Sequence, residues 1–241
     1  MTPARLMLAA VIGAQVAHGR RAAPAAPAAP AETRGLLLLM LAASAAEALE
    51  ARGRRGGAVL ALAGAVGLVA EHVGVSTGRP FGRYAYSDKL GRRVRGVPPL
   101  AGAAWALMAR PAWIAAGHVC ASASRRIPLA AAALAAWDVF LDPRMVAEGY
   151  WRWERGGRYA GVPASNFGGW VATGAAVFAL VAAIDRDAPD ARDDGALSLY
   201  AWTWVGETFA NAALWRRPRV AAAGAAAMGV VAVPAVWRRL R

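Results

Sequence analysis

Apolar residues in this chain come in long runs rather than in alternation with polar ones. Runs lie at about 35–51, 56–77, 97–120, 127–141, 166–184, 197–215 and 219–237, each near the roughly 20 residues that span a bilayer. Such runs predict transmembrane helices, because a lone helix satisfies its own backbone in lipid. A weaker run opens the chain as MTPARLMLAAVIGAQVAHG, and residues 1–21 read as a first membrane segment rather than a cleaved leader. The stretch AAPAAPAAPAE begins a Pro/Ala linker over 22–34, extended and exposed. The expected fold is all-α: a polytopic transmembrane helical bundle of seven or eight helices, with 35–241 as one catalytic unit.

Composition strengthens this picture. Of 241 residues, 58% are hydrophobic, and mean hydropathy is +0.34. Charged residues make up 18%, against about 25% in ordinary soluble proteins. The formal net charge is +13, and Lys89 is the one basic residue of 28 that is not Arg. These charges sit in short loops between apolar runs. They read as topology signals, not as a nucleic-acid face. With eight helices, the loops 20–34, 78–96, 142–165 and 215–219 share one side. They hold about 16 basic residues against about 11 opposite, which favours that side as cytoplasmic. Cys120 stands alone, so no disulfide and no cysteine-built metal site forms within the chain.

Polar and aromatic chemistry concentrates in two blocks on that more basic side, at 71–98 and 138–170. The blocks echo each other. Gly82-Arg83-Tyr84-Ala85 returns as Gly157-Arg158-Tyr159-Ala160, and Gly96-Val97-Pro98 as Gly161-Val162-Pro163. Each block follows a helix that ends in acids.

Glu71 and His72 close the run 56–77. Asp138 and Asp142 are four apart, on one helix face, and Pro143 is expected to end that helix. A carboxylic acid among apolar groups stays protonated near neutrality, as a general acid must. Asn166 is expected to open the next helix, either capping it or orienting a water. These five residues form the expected catalytic set. Phe81, Tyr84, Tyr86, Trp105, Trp137, Tyr150, Trp151, Trp153, Tyr159, Phe167 and Trp170 supply aromatic faces. Such rings form a headgroup belt or line a pocket that stabilises a cation. Further along, Glu207 and Asn211 share a face inside an apolar run, where a carboxylate either lines a tunnel or ties helices together. Arg110, beside Pro111, needs a carboxylate partner if buried, and one of these acids could supply it.

The chain carries no GxGxxG, no Walker A sequence, no DDxxD-type acid pair and no histidine cluster, His18, His72 and His118 being scattered. Dinucleotide redox, ATP-driven transport, diphosphate chemistry and di-iron oxygenation therefore lack their usual signatures.

The segments EHVGVSTGRPFGRYAYSDKLG, GVPPLAGAAW and DVFLDPRMVAEGYWRWERGGRYAGVPASNFGGW together resemble the integral-membrane carotenoid biosynthesis family of carotenoid hydratases. The resemblance covers roughly 71–170. It implies addition of water across the terminal isoprenoid C=C of an acyclic carotenoid end, with no cofactor and no metal. The substrate would arrive from the lipid phase of a bacterial plasma membrane, and other carotenoid-pathway enzymes are conceivable partners. The residues agree with that chemistry: an acid protonates the alkene, aromatic or carboxylate groups stabilise the tertiary cation, and water captures it. Two alternatives stay open. A carotenoid end-group cyclase shares the protonation step but loses a proton instead of admitting water. A non-catalytic membrane or carotenoid-binding subunit would need none of the acids.

Overall fold

The computed structural model describes residues 2–21 and 28–241. Helices occupy the apolar runs: α1 (Pro3–Arg21), α2 (Pro30–Thr77), α3 (Pro99–Val119), α4 (Ala123–Ala147), α5 (Ala164–Ile184), α6 (Asp194–Phe209) and α7 (Pro218–Leu240). α2, α5 and α7 are long and apolar enough to cross a membrane. The chain is an all-α helical bundle.

The N-terminal segment is a helix, α1, and α2 holds two of the expected helices, parted at one glycine. Within α2, Gly53 has φ 56° and ψ −139°, backbone angles that break a helix and that glycine adopts without steric cost. The chain doubles back there. Gly57 meets the Leu49 side chain, and Ala48 and Leu60 share one small apolar cluster. The expected runs 35–51 and 56–77 are thus the two arms of a helical hairpin. Residues 22–27 of the expected linker lie outside the described residues. Its last residues, 30–34, belong to α2, which starts at Pro30, where a missing N–H costs nothing.

α4 also departs from expectation, because it continues through Pro143 to Ala147. Proline at 143 cannot donate to the carbonyl of Val139, four residues back. That carbonyl instead accepts the Tyr159 hydroxyl at 2.9 Å. Burial pushes the Tyr159 phenol up to about 12, with the nearby Asp138 and Asp142 adding to the effect, so it stays a donor. The loop after α4 thus repairs the helix before it.

The hairpin of α2 places Pro30 and Thr77 at one end of the bundle and Gly53 at the other. Loops 78–98 and 148–163 lie at the first, or motif, end. The 185–193 loop meets Arg52 at the far end.

Candidate active site

The two motif blocks are joined by a small antiparallel ribbon that runs of apolar residues do not announce. β1 (Tyr84–Tyr86) pairs with β2 (Trp151–Trp153), matching Tyr84 with Trp153, Ala85 with Arg152 and Tyr86 with Trp151. Strand residues alternate faces. Tyr84 and Tyr86 therefore turn into the bundle while Ala85 turns out. Rings lock the two strands together: Tyr84 lies 5.8 Å from Trp153 and Tyr86 5.7 Å from Trp151, centroid to centroid.

Beneath the ribbon sits Glu71, on the second arm of α2 and 5% exposed. Its Oε2 accepts the Tyr86 hydroxyl at 2.8 Å and also the Tyr84 hydroxyl. Its Oε1 accepts Trp105 Nε1 at 3.0 Å. Burial and the Glu71 charge push both phenols up, so both keep their protons to donate. Gly67, one turn before Glu71, lets the Trp105 ring lie against α2; a Cβ there would stand 2.2 Å from that ring. Trp105 in turn stacks on Trp170 at 3.9 Å with 11° between planes. Three neutral donors hold this carboxylate, and no arginine, lysine or histidine pairs with it among the described residues.

Asp138 and Asp142 project from one face of α4 and are essentially inaccessible, at 0% and 2% exposed. Asn166 bridges them. Its Nδ2 donates to Asp138 Oδ2 at 2.7 Å and to Asp142 Oδ2, one hydrogen to each. Trp151 Nε1 donates to Asp142 Oδ1 at 3.0 Å. Asp138 Oδ1 has no partner among the described residues. Asn166 does not cap α5. The helix begins two residues earlier, at Ala164, with Pro163 at the cap position and no side-chain cap, which leaves the Asn166 amide free to turn inward.

Glu71, Asp142 and Asn166 face one cavity of about 40 Å³, also lined by Phe81, Tyr84, Tyr86, Trp105, Trp151, Trp153 and Trp170. At roughly 10–15 Å³ for each water, it holds about three waters. Asp138 lies behind Asn166 and reaches the cavity through it. Eleven of the sixteen residues singled out from sequence therefore converge. The others stand apart. His72 binds the backbone carbonyls of Leu68 and Val94, at 2.8 and 3.1 Å, and faces the 92–97 loop. Trp137 is buried elsewhere in the core. Tyr159 and Phe167 pack on each other beside α4. Tyr150 lies under Lys89, 5.7 Å from its ring. Aliphatic lining at Leu37, Leu100, Leu141 and Met145 was not foreseen, since nothing distinguishes these residues from other helix-core positions. The strand pairing left one readable sign, the alternating aromatics of Tyr-Ala-Tyr and Trp-Arg-Trp.

Two other expectations resolve differently. Arg110 is fully buried, yet none of the acids expected to pair with it does so. Its Nε donates to Glu47 Oε2 at 2.8 Å and its Nη2 to Asp193 Oδ1 at 2.6 Å. Among the described residues the Glu207 carboxylate accepts only from Asn211, whose Nδ2 stands 3.3 Å from Oε2. No group of three or more metal-type ligands occurs among the described residues.

A family model described as carotenoid biosynthesis protein matches residues 34–233. The chain is also 32% identical over 161 residues to a bisanhydrobacterioruberin hydratase from Haloarcula japonica. That match covers 56% of this chain and 53% of the relative, so the chain spans about half the length of the curated relative it matches. No solved structure matches the chain.

Proposed function

The chain belongs to the carotenoid biosynthesis protein family, and from that premise we propose that it is a carotenoid hydratase acting on the terminal isoprenoid C=C of an acyclic carotenoid end. The observation that carries this reading is a water-sized aromatic cavity faced by buried carboxylates, all held by neutral donors. A carboxylate bound to arginine is committed to its partner. One held by phenols, an indole or an amide stays available to a proton or a carbocation.

In this reading the Asp138–Asp142 pair, bridged by Asn166, holds one proton between its two carboxyls, since two buried carboxylates so close do not both ionise cheaply. The pair delivers that proton to the less substituted alkene carbon. The tertiary cation that results lies among the faces of Phe81, Trp105 and Trp153 and opposite the Glu71 carboxylate. Ring quadrupoles and the fixed negative charge both favour it. Water in the cavity attacks the cationic carbon, and Glu71 takes the proton it sheds. That proton returns to the aspartate pair through cavity water, so the sum is alkene plus water giving a tertiary alcohol. A hydrocarbon end is larger than the cavity and enters only as the aromatic walls part. Its natural route is from the lipid phase of a bacterial plasma membrane.

Expression in a lycopene-accumulating bacterium tests this reading, with pigments resolved by chromatography and mass. Hydration adds one water to the substrate mass. A product of unchanged mass and altered ring content would mean a cyclase instead. Unaltered pigment in both the parent and an Asp142→Asn variant would leave a non-catalytic carotenoid-binding role.

A further inference from the structure

A second cavity, of about 250 Å³, lies between α1, the end of α4 and the end of α6. Its walls are polar where they meet the bundle: Gln15, His18, Arg144, Thr203 and Glu207 all face it. Arg20 stands exposed at its rim. α6 widens into a π turn over Ala210–Leu214, which delivers Trp215 to the same wall.

Two observations tie this chamber to the aromatic cavity. The first is that the two cavities lie against the same two helices, α2 and α4, where successive residues face one and then the other. On α2, Leu36 faces the chamber and its neighbour Leu37 faces the aromatic cavity. On α4, Arg144 faces the chamber and Met145 the aromatic cavity. Methionine is unbranched and adapts its shape readily. The second is a concentration of unused hydrogen-bonding capacity. Glu148 Oε2, Asn211 Oδ1, Trp215 Nε1 and Arg217 Nη1 are buried without a partner among the described residues. They are contiguous. Glu148 bonds Arg144 at 2.8 Å, Arg144 lies 4.4 Å over the Trp215 ring, and the Arg217 N–H donates to the Asn211 carbonyl at 2.7 Å. Buried polar groups of this kind are satisfied by ordered water, given room and two or more partners each. Trp215 lines the chamber, which gives this group its room.

We propose that this chamber is an antechamber that holds water and passes it, between Leu37 and Met145, to the aromatic cavity where it is consumed. The supply role rests on the hydratase reading; the hydration of the chamber does not. A cavity with room for about three waters, walled by tryptophan and tyrosine, needs a polar reserve beside it if each turnover removes one. It also explains Glu207, a carboxylate that offers a hydrocarbon nothing but offers water an acceptor.

The test uses the full chain in native membranes, with Cys120→Ala as background. Gly206 lines the chamber, and a Cβ there would meet nothing closer than 3.7 Å, so Gly206→Cys is accommodated. The probe is a charged, membrane-impermeant methanethiosulfonate. Gly206→Cys should react with it, while Val205→Cys, which is 51% exposed on the outer face of the same helix, should not. Labelled Gly206→Cys should hydrate carotenoid about tenfold more slowly, short of the ~100-fold that misplacing a reactant can cost. A thiol reductant that removes the label should restore the rate, which a folding defect would not allow. If Gly206→Cys does not accumulate, Leu36→Cys reads the same chamber from the opposite wall. Three results overturn the proposal: no labelling before denaturation, equal labelling of Val205→Cys, or a labelled enzyme at full rate. Failure of the hydratase reading shows separately, as absence of hydrated product in the unlabelled background.

Discussion

Two clusters of buried carboxylates, one at each end of this bundle, are treated in opposite ways. At the far end, Glu47 and Asp193 meet arginine. Arg110 bonds both, and Arg52 bonds Asp193 as well. At the motif end, Glu71, Asp138 and Asp142 meet phenols, indoles and an amide. Burying a charge needs compensation either way. Guanidinium compensates by neutralising, which fixes the acid as part of the frame. Neutral donors compensate by hydrogen bonding alone, which leaves the charge or the proton for a third party. The chemistry of the partner, more than the depth of burial, separates a brace from a candidate catalytic group.

That contrast is broken most severely from the far end. Arg110→Leu leaves the buried Glu47 without its cation and Asp193 with Arg52 alone, and should cost about 3–5 kcal/mol. The expected outcome is a marked fall in membrane abundance and in detergent melting temperature. Loss of activity without loss of abundance would put Arg110 in the chemistry and dissolve the distinction.

At the motif end the order reverses. Asp142→Asn and Asp138→Asn keep shape and remove the shared proton, so hydration should fall at least about 100-fold while abundance holds. Pigment profiles and an immunoblot on the same cells check both halves. A smaller effect separates the donors to Glu71. Tyr86→Phe removes one hydrogen bond to a charged group, and a roughly tenfold loss of rate is the scale expected. Gly67→Ala, by contrast, forces the Trp105 ring away and should lower both rate and stability.

The smallest effect is one of pH. Burial pushes Asp193 up, but hydrogen bonds from Arg52, the Asp190 backbone and Arg110 outweigh it and hold the group below the usual carboxylate range. A depressed carboxylate contributes stability above its unfolded value, near 3.9, and loses it as pH falls through the folded value. The melting temperature in detergent should therefore show no contribution from this group's titration near neutrality and fall below about pH 4. Asp193→Asn, though less stable throughout, should show a shallower acid fall.

How much of this could be read from the residues follows from what each feature depends on. Helix runs depend on local hydropathy, and all of them are present in the fold. The acids and aromatics of the two blocks stand out because polar groups are rare in such a chain. What stayed hidden depends on distant pairs. Nothing near Pro143 says that Tyr159 will take up the freed carbonyl of Val139, so the helix was expected to end early. Nothing near Arg110 points to Glu47 and Asp193, 63 and 83 residues away. His72 looked like Glu71 in sequence, yet successive helix residues point about 100° apart and only one of them can face the cavity.

The three-residue ribbon between β1 and β2 has a consequence for biogenesis. Its strands are separated by two full helices, so the first half of the site leaves the ribosome with its phenols unlocked and the Asn166 amide not yet made. Contacts between distant segments form late, because the loop between them must close first. A nascent chain halted before Trp151 would hold Glu71 and its three donors yet lack the aspartate pair's amide bridge and the second strand. Until the ribbon zips, the candidate site stays incomplete: its two acid clusters cannot yet face one closed cavity.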